Sequence, residues 1–353
     1  MDKMQAVKGN KRDSEPLAFK RYRDAIDAEL RSVLDGRDSP LYEMMRYHLG
    51  WVDEHGNPTQ APPGKAFRPT LCLLACEAVG GNWHKALPAA AGMELMHNFS
   101  LVHDDIQDDD KERRHRPTVW SIWGKPQAIN AGDALATIAG LALIGLAQRG
   151  ISSGKQLVTH KLLYEACLTT IEGQFLDIHY ENRFDISVSD YLEMIERKTA
   201  TLISRALELG AILGSDDEAQ IRGLSRYGKS MGMSFQVRDD ILGIWGDEKK
   251  TGKPLGSDIR HKKKSLPIAY ALEQAKGQMR QDLLDIYQTE VIDDEGTHAV
   301  MEILEAVDAK AHAQALANEY LDAALKQLRG LSLRPLPRRQ LHGMARFVVE
   351  RDS

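Results

Sequence analysis

Several kinds of residue are scarce in this 353-residue sequence, and each scarcity disfavours a class of protein. The three cysteines are odd in number and form no CxxC pair of the metal-binding type, which disfavours a disulfide framework and indicates reduced thiols. Lys and Arg number 46 against 51 Asp and Glu, and the net charge of −5 disfavours a general nucleic-acid binder, which needs a basic surface. Aromatic residues make up only 6%, and the alternating apolar pattern of strands hardly occurs. We therefore expect a cytoplasmic protein with reduced thiols and an all-α fold, and no nucleic-acid partner.

Long apolar runs are also scarce. Residues 1–18 are polar and charged, without the apolar centre of a signal peptide, and predict a flexible tail. The segment 134–147 is rich in Ala, Leu and Ile, but it is short for a membrane span and Asp133 precedes it. We expect a buried core helix there and no transmembrane segment.

Helical periodicity is what the sequence does contain, in stretches separated by polar or Gly- and Pro-containing breaks. Leu95, Phe99, Val102 and Ile106 follow at steps of four, three and four residues, which places them on one helix face. No interdomain linker or fixed repeat interrupts the series, so we expect residues 19–353 to form a single helical domain. The predicted helices cover 16–34, 66–79, 86–109, 127–148, 156–180, 190–213, 219–245, 266–288 and 298–328.

An acidic cluster at the end of this apolar stripe carries the strongest chemical signal. Asp104 and Asp108 are four residues apart, so their carboxylates share one helix face about one turn apart, and Asp105 adds charge. Such carboxylates suit Mg²⁺, which binds one or two of them together with water and substrate phosphates. Arg113 and Arg114 follow, and guanidinium groups match diphosphate oxygens. In isolation the cluster equally fits a solvated helix end with ion pairs between neighbouring turns.

A second acidic cluster lies about 135 residues further on. Asp239 and Asp240 stand late in an apolar stretch, Gln236 shares their face, and a loop then carries Lys253 and Lys263. Two adjacent acids alone mean little, but carboxylates followed by cations now occur twice. Two such helices facing each other would enclose a magnesium site.

With both clusters in view, the sequence resembles the trans-isoprenyl diphosphate synthases, also called polyprenyl synthetases, from about residue 64 to residue 272. Taken singly, the matching motifs also fit solvated loops or ordinary core positions, whereas their shared order and spacing are specific. One departure is Gly243, which stands where many members of the family have a third aspartate, and Asp247 is the next acid along the chain. The matching motifs are GKAFRP at 64–69, MELMH at 93–97, DDIQD at 104–108, the arginine pair at 113–114, GQ at 173–174 with Asp177, KT at 198–199, and FQVRDD at 235–240.

The resemblance implies a large helical bundle of the isoprenoid synthase type with a central active-site cavity. It also implies a homodimer that condenses an allylic diphosphate with isopentenyl diphosphate, with two or three Mg²⁺ held by Asp104, Asp108 and Asp239. The catalytic residues that it implies are Asp104, Asp105, Asp108, Arg113, Lys198, Thr199, Gln236, Asp239, Asp240, Lys253 and Lys263. The residues that it implies for isopentenyl diphosphate are Lys65, Arg68, His97 and Arg114.

Phe99 and Ser100 occupy the positions that control product length in the resembled family. An aromatic residue followed by a small one is typical of a short-chain enzyme and favours geranylgeranyl diphosphate over farnesyl diphosphate. Phe99 equally fits an ordinary core position on its apolar stripe. Two alternatives are a non-catalytic partner subunit, which commonly lacks an aspartate motif, and a class I terpene cyclase, which needs no second diphosphate site.

Overall fold

The computed structural model describes residues 16–59, 64–247 and 254–350, which are helical over most of their length. The first half contains α1 (Leu17–Leu34), α2 (Pro40–His48), α3 (Phe67–Ala78), α4 (Leu87–Gln107), α5 (Val119–Trp123), α6 (Lys125–Ala142), α7 (Gly145–Gln148) and α8 (Ser153–Tyr180). The second half contains α9 (Val188–Ile195), α10 (Thr201–Gly214), α11 (Glu218–Trp245), α12 (Ser257–Arg260), α13 (Leu266–Gln274), α14 (Gln278–Gln288), α15 (Asp294–Ala306), α16 (Ala309–Arg329) and α17 (Pro335–Glu350).

Three short elements complete the fold. A 3-10 turn, Trp83–Ala86, leads into α4, and a π-helical turn, Glu196–Ala200, joins α9 to α10. Strands β1 (Glu112–Arg113) and β2 (Arg116–Pro117) form an antiparallel pair directly after the first acidic cluster. The predicted all-α class is confirmed.

Several predicted helices differ from the observed ones at their ends or continuity. The predicted helix 127–148 ends at Ala142 and resumes at Gly145, and the predicted helix 266–288 is interrupted between α13 and α14. The predicted helix 298–328 breaks at Asp308, whose φ of 56° is left-handed and cannot continue a right-handed helix. Helices α2, α5, α12 and α17 were not predicted. Helix α1 begins at Leu17, inside the predicted tail, and residues 1–15 lie outside the described part of the chain.

The core forms around α4, which is buried along most of its length. This helix packs against α3 and α6, α10 packs against α3 and α11, and α11 packs along α16. Apolar area removed from water drives this packing. Both predicted acidic clusters therefore lie on long helices, α4 and α11, which the surrounding helices hold in fixed positions.

The apolar segment Lys125–Gln148 is long and apolar enough to span a membrane by composition, but half of its most apolar stretch is buried in the protein. It comprises α6 and α7, and α6 packs along α4. This packing agrees with the core helix predicted over 134–147.

Candidate active site

The carboxylates of Asp104 and Asp108 lie one turn apart at the C-terminal end of α4, and Asp108 is the residue that caps it. Both side chains are half-buried. Burial, with a smaller contribution from Asp104, raises the pKa of Asp108 to about 6. Because burial and the neighbouring Asp104 charge both disfavour the ionised form of Asp108, a cation bound between the two carboxylates would stabilise it.

Asp105 has a different environment from its two neighbours. Its carboxylate is buried and accepts a hydrogen bond from Nε of Arg113 at 2.6 Å. Burial raises the pKa of Asp105 to about 6, and the Arg113 guanidinium opposes that rise. Asp105 therefore anchors Arg113 and the short strand pair rather than extending the Asp104–Asp108 pair.

Lys198 reaches the first acidic cluster from the π-helical turn. Its Nζ lies 2.5 Å from Oδ2 of Asp177 and 3.5 Å from Oδ1 of Asp104. Burial alone would lower the pKa of Lys198, but Asp177 and Asp104 outweigh burial and hold it above its usual value. Lys198 is therefore a permanent cation beside the carboxylates.

The sequence motif at 173–177 explains how Lys198 comes so close. A Cβ added at Gly173 would overlap the backbone nitrogen of Lys198, so only glycine lets α8 approach the π-helical turn here. Nε2 of Gln174 donates a hydrogen bond to Oε1 of Gln107 at 2.9 Å, which ties α8 to the end of α4. With Asp177 bonded to Lys198, this motif joins α4, α8 and the π-helical turn.

The second acidic pair has one exposed and one buried member. Asp239 is exposed, whereas Asp240 is buried. The Asp240 carboxylate accepts hydrogen bonds from the Tyr191 hydroxyl, from Nε2 of Gln236 at 3.0 Å and from the backbone N–H of Leu266 at 3.1 Å. Burial raises the pKa of Asp240 to about 7, although all three of these hydrogen bonds favour the charged form.

A short chain of hydrogen bonds links the second pair to the π-helical turn. Oγ1 of Thr199 donates to Oε1 of Gln236 at 2.8 Å, and the amide of Gln236 donates in turn to Asp240. The chain fixes the orientation of the Gln236 amide. It also connects the π-helical turn, which carries Lys198, to α11, which carries Asp239.

Gly243 is paired with an aspartate from the next helix. A Cβ added at Gly243 would overlap the carboxylate of Asp258, which lies on α12. Burial alone would lower the pKa of Lys263, but Asp258 first and then Asp108 raise it. Asp258 and Lys263 therefore place a carboxylate and a cation between the two acidic clusters. Asp247, the next acid along the chain after Gly243, lines a separate cavity with Lys310.

The four residues predicted for isopentenyl diphosphate line one cavity of about 460 Å³, which we call the cationic cavity. They are Lys65, Arg68, His97 and Arg114. Nε of Arg68 and Nδ1 of His97 are buried and have no hydrogen-bond partner in the described protein. Since buried polar atoms are normally satisfied, these two atoms favour a bound anionic ligand.

The protonation states in the cationic cavity follow from burial and charge. Burial lowers the pKa of Arg68 to about 10, and Glu94 opposes that change, so the guanidinium stays charged at neutral pH. Burial, together with Arg68 and Arg114, holds the pKa of His97 well below its usual value. His97 is therefore a neutral side chain that can donate or accept one hydrogen bond per ring nitrogen.

Phe99 and Ser100 lie on α4 before the first acidic pair. The buried ring of Phe99 meets the His103 ring edge-on, with centroids 4.9 Å apart. Ser100 donates its hydroxyl to the backbone of its own helix at His97. Lys253, which the sequence also predicted for the site, lies outside the described residues.

Within the described ranges, no three His, Cys, Asp or Glu side chains converge closely enough to hold a metal ion unaided. That arrangement fits Mg²⁺, which commonly completes its shell with water and substrate phosphate oxygens. The hard oxygens of Asp104 and Asp108 and the raised pKa of Asp108 fit such an ion.

Sequence reasoning gave no role to three residues of the site. Tyr191 carries no recognisable signal, because it acts through a contact between distant segments. Glu94 stands within the matching motif at 93–97, and Asp258 stands in the same loop as Lys253 and Lys263, but their contacts with Arg68 and with the empty side-chain position at Gly243 are tertiary.

Known proteins are similar to this chain in sequence and in fold. Residues 50–305 match the family model described as Polyprenyl synthetase. The chain is 35% identical over 333 residues to a (2E,6E)-farnesyl diphosphate synthase of Mycobacterium tuberculosis, with 94% of this chain and 91% of the relative covered. It is 39% identical over 259 residues to a geranylgeranyl diphosphate synthase of the same species, with 73% of each covered. Among solved structures, a polyprenyl synthetase from Streptomyces coelicolor A3(2) is similar with a TM-score of 0.87 and 35% identity, and the match covers 95% of this chain and 100% of that one.

Proposed function

The chain belongs to the polyprenyl synthetase family of trans-isoprenyl diphosphate synthases, and we propose that it condenses an allylic diphosphate head-to-tail with isopentenyl diphosphate. One observation carries the proposal: α4 carries the carboxylates of Asp104 and Asp108 at its C-terminal end and, two turns earlier, His97, which lines the cationic cavity together with Arg68. Two diphosphates of different binding chemistry are what this reaction needs. A terpene cyclase would use the first site alone.

The carboxylate site takes the allylic diphosphate. Asp104, Asp108 and Asp239 would hold two or three Mg²⁺ there, and the bound metal would neutralise the charge that develops on the leaving diphosphate. Lys198 and Lys263 add fixed positive charge beside the same carboxylates. Cations that are already in position when charge develops stabilise the transition state without reorganising. Arg113 is held for the same purpose by Asp105.

The cationic cavity takes isopentenyl diphosphate. Arg68 and Arg114 supply planar guanidinium donors, Lys65 supplies an ammonium group, and neutral His97 supplies one more hydrogen bond. The unpartnered buried nitrogens of Arg68 and His97 support this assignment, because a diphosphate oxygen would satisfy both.

The oxygens of Thr199 and Gln236 stabilise the allylic cation. The Thr199 hydroxyl donates a hydrogen bond to Gln236, so the lone pairs of its oxygen remain available to a positive charge. Asp240 holds the other end of the Gln236 amide and acts as a positioning residue.

The product is proposed to be geranylgeranyl diphosphate, with farnesyl diphosphate as the next choice. Relatives of similar identity carry both names, and Phe99 supports the longer product because its buried ring lies on α4 five residues before Asp104. Replacing Phe99 by alanine removes a large side chain from the path of the growing tail. We expect Phe99→Ala to lengthen the product by at least one five-carbon unit, as measured by chromatography of the dephosphorylated alcohols. An unchanged product length would assign Phe99 to the core alone.

Homodimerisation is proposed from an exposed apolar stripe on α8. Leu157, Tyr164, Leu168, Ile171, Phe175 and Ile178 are all exposed and follow at steps of seven, four, three, four and three residues. This spacing keeps them on one helix face, and Phe175 leaves 66% of its surface in water. Burying that stripe against a second copy would remove an unfavourable exposed patch. A cytoplasmic location is proposed from the free thiols of Cys72, Cys76 and Cys167.

The proposed function is tested by incubating the purified chain with Mg²⁺, isopentenyl diphosphate and each of dimethylallyl, geranyl and farnesyl diphosphate. We expect condensation with at least one primer and loss of activity in EDTA. Turnover of an allylic diphosphate without isopentenyl diphosphate would favour a terpene cyclase. A folded but inactive chain would favour the partner-subunit alternative.

A further inference from the structure

A groove between α16 and α17 lies outside the site described above. We call it the C-terminal groove, and its volume is about 470 Å³. Its apolar wall comprises Leu325, Leu328, Leu333 and Pro335, and its cationic rim comprises Arg329, Arg338, Arg339 and His342. Leu325 and Leu328 are buried and form the floor, whereas Arg329, Arg339 and His342 are exposed and face water; Leu333 and Arg338 are half-buried and Pro335 is exposed.

The surroundings of the groove are unusually basic for this chain. Between Asp322 and Glu350 the sequence contains six Lys and Arg residues and no acid, although the whole chain has a net charge of −5. The Arg338 guanidinium donates to the backbone carbonyl of Arg329 at 3.0 Å, which holds it across the groove. A rim of this kind attracts anions, and guanidinium groups match phosphate oxygens through paired hydrogen bonds.

The groove shares a helix with the cationic cavity but none of its lining residues. The first half of α17 lines the groove through Pro335, Arg338 and Arg339, whereas Phe347 and Val348 from its last half line the cationic cavity. The groove is therefore a separate site at the other end of the same helix.

We propose that the C-terminal groove binds a second molecule of prenyl diphosphate, held by its arginines without a metal ion. The inference rests on the proposed function for the identity of this ligand, a diphosphate with an apolar tail. The ligand's two halves match the rim and the floor, and the volume lies within the range of small-molecule sites, about 300–1,000 Å³. A membrane surface fits less well, because membrane-binding helices insert protruding apolar side chains and here the leucines lie at the bottom of a concavity.

The test measures equilibrium binding of radiolabelled farnesyl diphosphate, kept below its micelle concentration, to the full chain in EDTA. Chelation disables the carboxylate site, and excess isopentenyl diphosphate occupies the cationic cavity. We expect one remaining site per chain, at least tenfold weaker in Arg338→Gln/Arg339→Gln. Lys85→Gln/Lys276→Gln makes the same change of net charge at exposed positions away from the groove and should leave binding unchanged.

Two further ligands define what the site recognises. Inorganic diphosphate has only the anionic group that the arginines would bind, and farnesol has only the apolar tail that the leucines would contact. Each should therefore bind at least tenfold more weakly than farnesyl diphosphate. Equal loss of binding in both double variants, or no loss in either, would overturn the proposal. Arginine-dependent binding to phosphatidylglycerol vesicles without a farnesyl diphosphate site would also overturn it, in favour of a membrane-docking surface.

The condensation assay separates this proposal from the proposed function. The groove variant should keep the initial condensation rate of the parent chain, because none of its changed residues lines the active site. An inactive parent chain would contradict the proposed function, and the binding measurement would still decide whether the groove holds a prenyl diphosphate.

Discussion

The two adjacent aspartate pairs, Asp104–Asp105 and Asp239–Asp240, look alike in the sequence and differ in how their second members are stabilised. Successive residues on a helix point about 100° apart, so one carboxylate of each pair faces the site and the next faces the core. In the first pair the buried Asp105 is compensated by a cation, Arg113. In the second pair, Asp240 is held by neutral donors, including Tyr191. Burial raises the pKa of Asp105 to about 6 against the opposing Arg113 guanidinium, and it raises the pKa of Asp240 to about 7 against neutral donors alone, so Asp240 titrates closer to neutral pH.

The largest effect is expected at the first member of either pair. Asp104→Asn removes the charge of a proposed metal ligand and leaves the side chain's size unchanged, so kcat should fall by about 10³-fold, at the upper end of the loss for one preorganised electrostatic group. Steady-state kinetics at saturating Mg²⁺ measures this, and an unaltered far-UV circular dichroism spectrum is the control for folding. Retention of more than a tenth of the parent kcat would contradict a ligand role for Asp104.

The second members should differ in their effect on stability. Asp240→Ala leaves buried donors unsatisfied and should lower the free energy of unfolding by about 3 kcal/mol, since one such group costs about 1–3 kcal/mol. Asp105→Ala should cost less, about 1 kcal/mol, because the freed Arg113 side chain is 29% exposed and can turn to water. Urea denaturation of both variants at pH 8 gives the comparison, and equal losses would show that the two environments are equivalent.

A substitution at Gly243, the position of the aspartate missing from the second motif, tests whether Asp258 supports the second acidic pair. Gly243→Ala must displace the Asp258 carboxylate, so we expect about a tenfold weaker apparent affinity for Mg²⁺, comparable with the loss of one residue supporting a metal site. Mn²⁺ binding in the presence of inorganic diphosphate, followed by electron paramagnetic resonance, reports this affinity without turnover. Gly343→Ala is the matched control, because a Cβ there meets nothing within 4 Å. Identical binding in both variants would remove Asp258 from the site.

The smallest effect is the dependence of the rate on pH. The pKa of Asp108 is about 6, and its protonated form cannot bind a metal ion, so activity should be full above pH 7 and about half at pH 6. Because Mg²⁺ competes with the proton, the midpoint should move to lower pH as the Mg²⁺ concentration rises. The pKa of Asp105 is also about 6, but a midpoint set by that residue would stay fixed, since Asp105 binds Arg113 instead of a metal. A midpoint independent of Mg²⁺ would therefore reassign it to Asp105.

Periodicity and motif order could predict the fold class, most of the long helices and the grouping of Lys65, Arg68, His97 and Arg114 around one cavity. They could not predict the break at Asp308, because a left-handed residue in an apolar-periodic stretch leaves no pattern. They could not separate Asp239 from Asp240 either, since burial depends on α9 and α13, which contribute Tyr191 and Leu266 from distant parts of the chain. The pairing of Gly243 with Asp258 is of the same kind, a tertiary contact across a loop.

The π-helical turn at Glu196–Ala200 makes the geometry of the active site depend on the number of residues between α9 and α10. A π turn contains one residue more than an α-helical turn of the same path, and it places Lys198 beside Asp104 and Asp177. Deleting a single residue here would let α9 run straight into α10 as one regular helix. Lys198 would then rotate by about 100° away from the carboxylates. Deletion of one residue could therefore leave the helical fold intact and still abolish catalysis.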